Sequence, residues 1–278
     1  MTRSWILIAT LALAACGGGD KPAETPPAPV APANPDTPKL DAASLASSAE
    51  KVGLVPSVTE TQKALNASGI EGQLASKIVK RSFDLSSEKD LDRVAVRTGV
   101  ILADMLLTIK TATKEELVAN LDAVGVGMKQ LSGGSDIQAT IEDIKGRLQS
   151  DAITRDELVQ EADELSGALI PELEFNGRKR TVPLIQAGSW LEGANLVAKS
   201  TPADKPAAAQ GLLKQPKVVD YFIEYVKGEG AEKTPEGVAD KLLASLETLK
   251  GIADKADPLT GEDIAAIIKV TDDVLALL

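Results

Sequence analysis

Two carboxylates stand inside otherwise apolar segments, and they are the first residues to consider for chemistry. Asp104 lies in the run from Leu91 to Ile109, and Glu192 lies in the run from Val182 to Ala198. A buried carboxylate without a partner is costly, because it loses its hydration and gains nothing in return. We therefore expect each of them to have a polar or charged neighbour in the folded protein.

Arg97 and Trp190 complete the candidate cluster. Arg97 precedes Asp104 by two helical turns and so shares its helix face, and Trp190 lies two positions before Glu192. We predict that Arg97 reaches at least one of the two carboxylates, with Trp190 packed nearby. Two interpretations stay open: an ion pair that fixes the register of two helices, or a polar spot inside a ligand cavity.

Other patterns that could support chemistry have simpler explanations. Ser48–Lys51 and Ser86–Lys89 have the S-x-x-K spacing of serine acyl enzymes, but the companion S-D-N and K-T-G motifs are absent. The acidic residues between 254 and 263 could bind Ca²⁺, yet their spacing is not that of an EF-hand loop. Serine caps and an acidic first helical turn account for these patterns.

The composition excludes several classes of function. The chain of 278 residues has no histidine and one cysteine, Cys16. Ser-His-Asp and Cys-His catalysis and the usual zinc sites are therefore excluded. The net charge of −11 repels phosphate backbones, so we expect no nucleic-acid partner. We predict a protein that is not an enzyme and carries no cofactor or metal.

The elements that position these residues are predicted to be helices. Thr113–Glu116 and Thr154–Glu157 have the spacing of capping boxes, and Thr260 precedes an acidic first turn. No pair of segments shows the alternation of strands. The sequence predicts an all-α multi-helix array or bundle over residues 41–278. The predicted helices span 42–52, 57–68, 70–81, 87–112, 114–131, 136–150, 155–174, 181–199, 203–213, 216–227, 235–254 and 261–277.

The segments 91–109 and 182–198 are apolar around most of their circumference. Such helices usually lie in the centre of a fold, so we expect these two to pack together. The charged residues that interrupt them, Asp104 and Glu192 among others, argue against a transmembrane span.

The first residues have the features of an export signal. Arg3 precedes an apolar run that ends in Leu13-Ala14-Ala15-Cys16, and this run is too short for the ~20 residues of a membrane span. The LAAC sequence resembles the lipobox of bacterial lipoproteins. The resemblance implies that residues 1–15 are removed, and that Cys16 receives a diacylglyceryl group and a further acyl chain.

Residues 16–40 are rich in proline and alanine and contain little that could form a core. This composition predicts a disordered, polyproline-like tether between the lipid and the helical domain. In lipoproteins of this kind, an aspartate directly after the cysteine favours retention in the inner membrane. The residue here is Gly17, so the resemblance implies the outer membrane, with the domain facing the periplasm.

A second resemblance involves the central helices. Gly188-Ser189-Trp190-Leu191-Glu192-Gly193 forms a G-x-W-x-E-G pattern, and together with the 99–107 segment it resembles a group of uncharacterised helical envelope lipoproteins of Gram-negative bacteria. The similarity covers about residues 90–200. It implies an all-helical periplasmic domain and no particular activity.

These features lead to two functional hypotheses. The first is a lipid-anchored helical module that binds an envelope protein or supports an envelope assembly. The alternative is a carrier that holds a hydrophobic ligand between its two central helices. An enclosed apolar cavity of several hundred Å³ would favour the carrier, and a broad exposed apolar patch would favour the partner protein. A hydrolase, the third class considered, lacks any catalytic constellation.

Overall fold

The fold is an all-α multi-helix array. A computed structural model describes residues 58–79, 81, 83–132, 136–175, 181–230 and 238–278, and within these ranges it contains helices and no strand. All of these residues belong to one compact unit, 43–278. The predicted signal, the predicted lipidation site Cys16, the predicted tether and the predicted helix 42–52 lie outside the described residues.

The helices are named here in chain order. They are α1 (Val58–Ser68), α2 (Leu91–Thr108), α3 (Lys114–Ser132), α4 (Asp136–Gln149), α5 (Arg155–Phe175), α6 (Thr181–Ser200), α7 (Gln210–Leu213), α8 (Pro216–Tyr225), α9 (Val238–Ala253) and α10 (Gly261–Leu275). Two 3₁₀-helices span Glu71–Lys77 and Pro206–Ala209, and a π-helical turn, Val226–Gly230, follows α8.

Local capping sets where several helices begin. The Thr113 hydroxyl accepts a hydrogen bond from the Glu116 amide, while the Glu116 carboxylate accepts one from the Thr113 amide. Thr154 and Glu157 form the same reciprocal pair. A third capping box joins Thr260 to the aspartate three residues later. Each box satisfies amides that a helix start leaves without partners, so these boundaries could be predicted from the sequence.

Three predicted helices differ from the observed elements. The segment 70–81 forms only the 3₁₀-helix Glu71–Lys77, and 203–213 is divided between Pro206–Ala209 and the single turn α7. The helix predicted to begin at 87 begins at Leu91, because the Asp90 carboxylate accepts hydrogen bonds from the next turn and caps it there. Short segments lack the length at which helix propagation outweighs nucleation, and packing then decides their form.

Helices α2 and α6 lie between two apolar clusters and contribute to both. One cluster gathers residues of α3, α4 and α5 around one side of α2 and the first turns of α6. The other gathers α1, α8, α9, α10 and the first 3₁₀-helix around the remaining side. This double burial explains why both helices are apolar nearly all round. The prediction that they are central and pack together is confirmed, since no other described pair packs more extensively.

Two glycines allow α2 and α6 to approach closely. A Cβ atom on Gly99 would lie 2.0 Å from the carbonyl oxygen of Ile185, and one on Gly188 would lie 2.0 Å from the carbonyl oxygen of Val96. Neither position accepts a side chain unless the backbones separate. Gly193, farther along α6, differs because its Cβ would meet only the flexible end of Leu107, at 3.7 Å.

Within the described ranges, none of the helices combines the length and the apolar character needed to cross a membrane.

Candidate functional site

A fully buried glutamate lies next to the closest point of the α2–α6 contact. Glu192 is 0% exposed, and Arg81 approaches it from the segment between the first 3₁₀-helix and α2. The Arg81 Nη1 and Glu192 Oε2 atoms are 2.7 Å apart, although their angles are not those of a hydrogen bond. We describe the contact as an ion pair, because the distance is that of a charge-assisted contact. The Arg81 side chain is 16% exposed.

Asp104 joins this pair from α2. Its Oδ1 atom is buried and accepts no hydrogen bond from a described residue. Burial and the adjacent charge of Glu192 raise the pKa of the Asp104 carboxyl to about 8, against the opposing effect of Arg81. The neutral form of Asp104 is therefore favoured up to about pH 8.

The glycine crossing places the two carboxyl groups together. Gly99 faces Ile185, and farther along the helices Leu107 faces Gly193, so α2 and α6 run side by side in the same direction. Asp104 follows Gly99 by about one turn of α2, and Glu192 follows Gly188 by about one turn of α6. A register set by two backbone contacts therefore brings both acids to the same level of the interface.

Arg97 does not reach the carboxylates as predicted. Its Nε donates to the main-chain oxygen of Leu278 at 2.8 Å, its Nη2 donates to the same oxygen, and its Nη1 donates to Glu88 at 2.9 Å. Its guanidinium also lies over the Phe83 ring, 5.2 Å from the centroid. Helical side chains lean toward the helix N terminus, so Arg97 points away from Asp104 despite sharing its face. Arg81, and not Arg97, is the arginine that pairs with Glu192.

Trp190 lies beside a groove rather than against the carboxylates. Its Nε1 donates to the Gln215 side chain at 3.0 Å, and its ring lies 5.6 Å from that of Phe222, tilted by 48°. The predicted set of four is therefore divided. The structure brings Asp104 and Glu192 together, while Arg97 and Trp190 belong to other contacts.

The groove beside Trp190 has a volume of about 110 Å³ and is open on one side. Leu107 of α2, Ala194 of α6, Leu212 and Gln215 are among the residues that line it. None of the lining residues is charged. The volume is below the range of about 300–1,000 Å³ for pockets that hold a whole drug-sized ligand. A groove of this size accepts one neutral apolar group, such as a short stretch of an alkyl chain.

A second buried polar network was missing from the sequence-based prediction. The Asn195 amide donates to the Thr271 hydroxyl at 2.8 Å and to Asp272 at 2.9 Å, and Lys199 donates to the same Asp272 at 2.7 Å. The network joins α6 to α10. Asn195 is fully buried in a helix that is apolar nearly all round, and that signal was available in the sequence.

The remaining motifs form local caps. Ser86 is exposed and donates to Asp84, as expected for a turn. Asp263 is engaged by Lys255 and by Thr260, and these hydrogen bonds lower its pKa to about 2. No group of three or more potential metal ligands occurs among the residues that the structure describes. Ser48–Lys51 lies outside them.

The comparisons with known proteins give no relative for this chain. No protein-family model matches it, and no curated protein or solved structure is detectably similar to it.

Proposed function

We propose that the protein is a lipid-anchored, non-enzymatic helical module of the cell envelope, facing the periplasm from the outer membrane and binding or supporting another envelope protein. The observation that carries the proposal is the Leu13-Ala14-Ala15-Cys16 sequence after a basic residue and a short apolar run. Cys16 is the only cysteine of the chain, so its thiol has no disulfide partner within the chain.

The described domain suits a module that presents a fixed surface. Its two central helices are held at one register by the glycine contacts, and the Arg81–Glu192 ion pair ties the segment before α2 to α6. The carboxylate of α6 in this contact, Glu192, is fully buried and paired with Arg81 rather than open to solvent. This arrangement supports a structural or binding role over a catalytic one, because catalytic groups need access to a substrate.

Changing Cys16→Ser should release the protein from membranes. Two or more acyl chains give stable attachment, and the serine variant cannot receive the thioether-linked diacylglyceryl group. The measurement is the fraction of full-length protein that sediments with membranes after a high-salt wash, together with incorporation of labelled fatty acid. We expect the serine variant to be soluble and unlabelled.

A matched control changes Gly19→Ser, which adds a hydroxyl near the cysteine and leaves the thiol in place. The control should remain lipidated and sediment as the wild type does. Sedimentation of the Cys16→Ser protein with washed membranes would contradict the anchor.

The alternative function, a carrier of a hydrophobic ligand between α2 and α6, is favoured by the neutral groove beside Trp190. Its volume limits the occupant to part of an alkyl chain, so the remainder of a lipid would lie outside it. Trp190 and Trp5 are the two tryptophans of the chain. A protein that starts at position 16, with serine there, therefore reports on the groove through a single fluorophore.

Bromodecanol with bromine on its terminal carbon should quench Trp190 fluorescence in a saturable manner if the groove takes alkyl chains. Gly193→Ala adds a methyl group to the groove, where its Cβ meets only Leu107 at 3.7 Å. We expect about a tenfold weaker affinity, the effect of roughly 1.4 kcal/mol.

Gly146→Ala on α4 is the control, because a Cβ there meets nothing within 4 Å. It should bind bromodecanol as the wild type does. Linear, unsaturable quenching of the wild type would refute the carrier and leave the anchor proposal untouched.

A further inference from the structure

Asp104 lies beside the Arg81–Glu192 ion pair, and it gives this protein a group that titrates near neutral pH. The composition of the chain does not suggest such a group. Histidine is the side chain that ordinarily titrates near neutral pH, and the chain has none. The α2–α6 contact nevertheless contains two carboxyl groups next to one guanidinium, with Glu192 0% exposed. The Asp104 Oδ1 and both Glu192 carboxylate oxygens are buried and receive no hydrogen bond from a described donor.

The charges in the cluster balance only with a proton bound. Arg81 pairs with Glu192, and among the described residues no second cation acts on Asp104. Glu192 comes from α6, Asp104 from α2 and Arg81 from the segment before α2, so the three charges lie on three separate parts of the chain. Repulsion between the acids therefore acts directly on the contact between the two helices.

Charged residues on the neighbouring elements do not change this balance. The 3₁₀-helix Glu71–Lys77 packs against both α2 and α6, but neither of its charged end residues contributes to the state of Asp104. Arg97 is engaged by Glu88 and by Leu278. Among the described residues, Glu192 and Arg81 are the groups that act on Asp104.

We propose that Asp104, beside the Arg81–Glu192 ion pair, is a proton-binding site at the α2–α6 crossing, and that release of its proton weakens the contact between these two helices. The folded protein binds the proton and the unfolded chain does not, so the protein is a sensor of pH in the neutral range. This inference concerns the described domain and is independent of the lipid anchor and of the groove.

The raised pKa of Asp104 determines whether stability rises or falls with pH. In the unfolded chain Asp104 has its ordinary pKa, about 3.9, and in the folded protein burial raises that pKa to about 8. Between these values the native state holds one proton more than the unfolded state. Stability therefore falls as pH rises, and the equilibrium constant for unfolding increases about tenfold per pH unit. Above the folded pKa the change levels off.

The test is urea unfolding of the full chain with Cys16→Ser, followed by far-ultraviolet circular dichroism between about pH 5 and about pH 8. The wild-type unfolding constant should rise about tenfold per pH unit. Asp104→Asn places an uncharged amide that can donate to Glu192, and its unfolding constant should change less than about twofold per unit. Near pH 8 this variant should be more stable than the wild type.

Asp204→Asn removes an exposed carboxylate and is the matched control. It should keep the wild-type dependence on pH. The proposal is overturned if the wild type shows no such dependence, or if Asp104→Asn keeps it in full.

A measurement on the wild type alone covers the case in which Asp104→Asn does not fold. A protonated carboxylic acid has its own C=O stretching band in the infrared, distinct from that of a carboxylate. We expect this band in the native protein at neutral pH and its loss as pH rises through about 8. Absence of the band at neutral pH also overturns the proposal.

Discussion

Gly188→Ala should destabilise the domain by about 3 kcal/mol, at the upper end of the usual cost of overpacking. The added Cβ would lie 2.0 Å from the carbonyl oxygen of Val96, and backbone cannot rotate away as a side chain can. Helices α2 and α6 must therefore separate, and their separation disturbs both apolar clusters, since each helix contributes to both. Urea unfolding followed by circular dichroism measures the loss.

Two further variants separate this effect from the general cost of changing a helical glycine. Gly146→Ala on α4 has nothing within 4 Å of its Cβ and should gain up to about 1 kcal/mol from helix propensity. Gly99→Ala should resemble Gly188→Ala, because its Cβ meets the Ile185 carbonyl oxygen at the same distance. The double variant should lose less than the sum of the two, since one separation of the helices accommodates both methyl groups. Additive losses would argue against a shared contact.

The helices could be predicted from the sequence because their signals are local. The Thr154–Glu157 box requires only residues within one turn of each other, and it is formed as predicted. The two central helices could also be identified, because an apolar residue on every side leaves no face for water. The segment 70–81 was wrong as a full helix, since its conformation depends on packing against α2 and α6 rather than on its own residues.

Part of the cluster could be predicted in the same way. A charge inside an apolar helix is visible in the sequence, and this signal identified Asp104 and Glu192. The same reasoning applied to Asn195 would have predicted a buried amide with polar partners, which the structure supplies as Thr271 and Asp272. The rule needs only the presence of a polar side chain within a helix that is apolar around most of its circumference.

The arginine that pairs with Glu192 could not be predicted, because its position depends on tertiary structure. Arg81 lies outside the helices, and no periodicity relates it to α6. Arg97 was chosen because it shares a face with Asp104, but two turns of helix separate their Cα atoms by roughly 10 Å. The lean of helical side chains adds to this distance. A shared face is therefore a necessary condition for contact along a helix, and it is not a sufficient one.

The glycines of the G-x-W-x-E-G pattern have different roles in the structure. Gly188 is required by the backbone of α2, whereas Gly193 borders the groove and would tolerate a methyl group. The glutamate between them is buried against Arg81. The pattern thus combines a glycine that allows close contact with α2 and a glutamate that needs a cation from elsewhere in the chain. Both residues determine how α6 packs.

Arg81→Gln should cost about 3–5 kcal/mol of stability at neutral pH, the usual loss when one member of a buried ion pair is removed. Glu192 is 0% exposed, and the Arg81 guanidinium is the cation within ion-pair distance of it among the described residues. Without that cation, the carboxylate remains in an apolar interface beside a second acid. Urea unfolding measures the loss, and Lys269→Gln is the control. Lys269 pairs with Asp273 on the surface of α10, where both side chains are largely exposed, so its removal should cost about 0.5 kcal/mol or less.

A second substitution tests whether the loss arises from the stranded charge rather than from the missing side chain. Adding Glu192→Gln to Arg81→Gln removes the uncompensated carboxylate, so the double variant should be more stable than Arg81→Gln alone. The same Glu192→Gln change in the otherwise unaltered chain should be destabilising, because it removes the carboxylate at ion-pair distance from the Arg81 guanidinium. Opposite signs of the same substitution in the two backgrounds are the signature of a charge pair. If Glu192→Gln destabilises both proteins equally, the Arg81–Glu192 contact contributes nothing to the fold beyond the packing of its atoms.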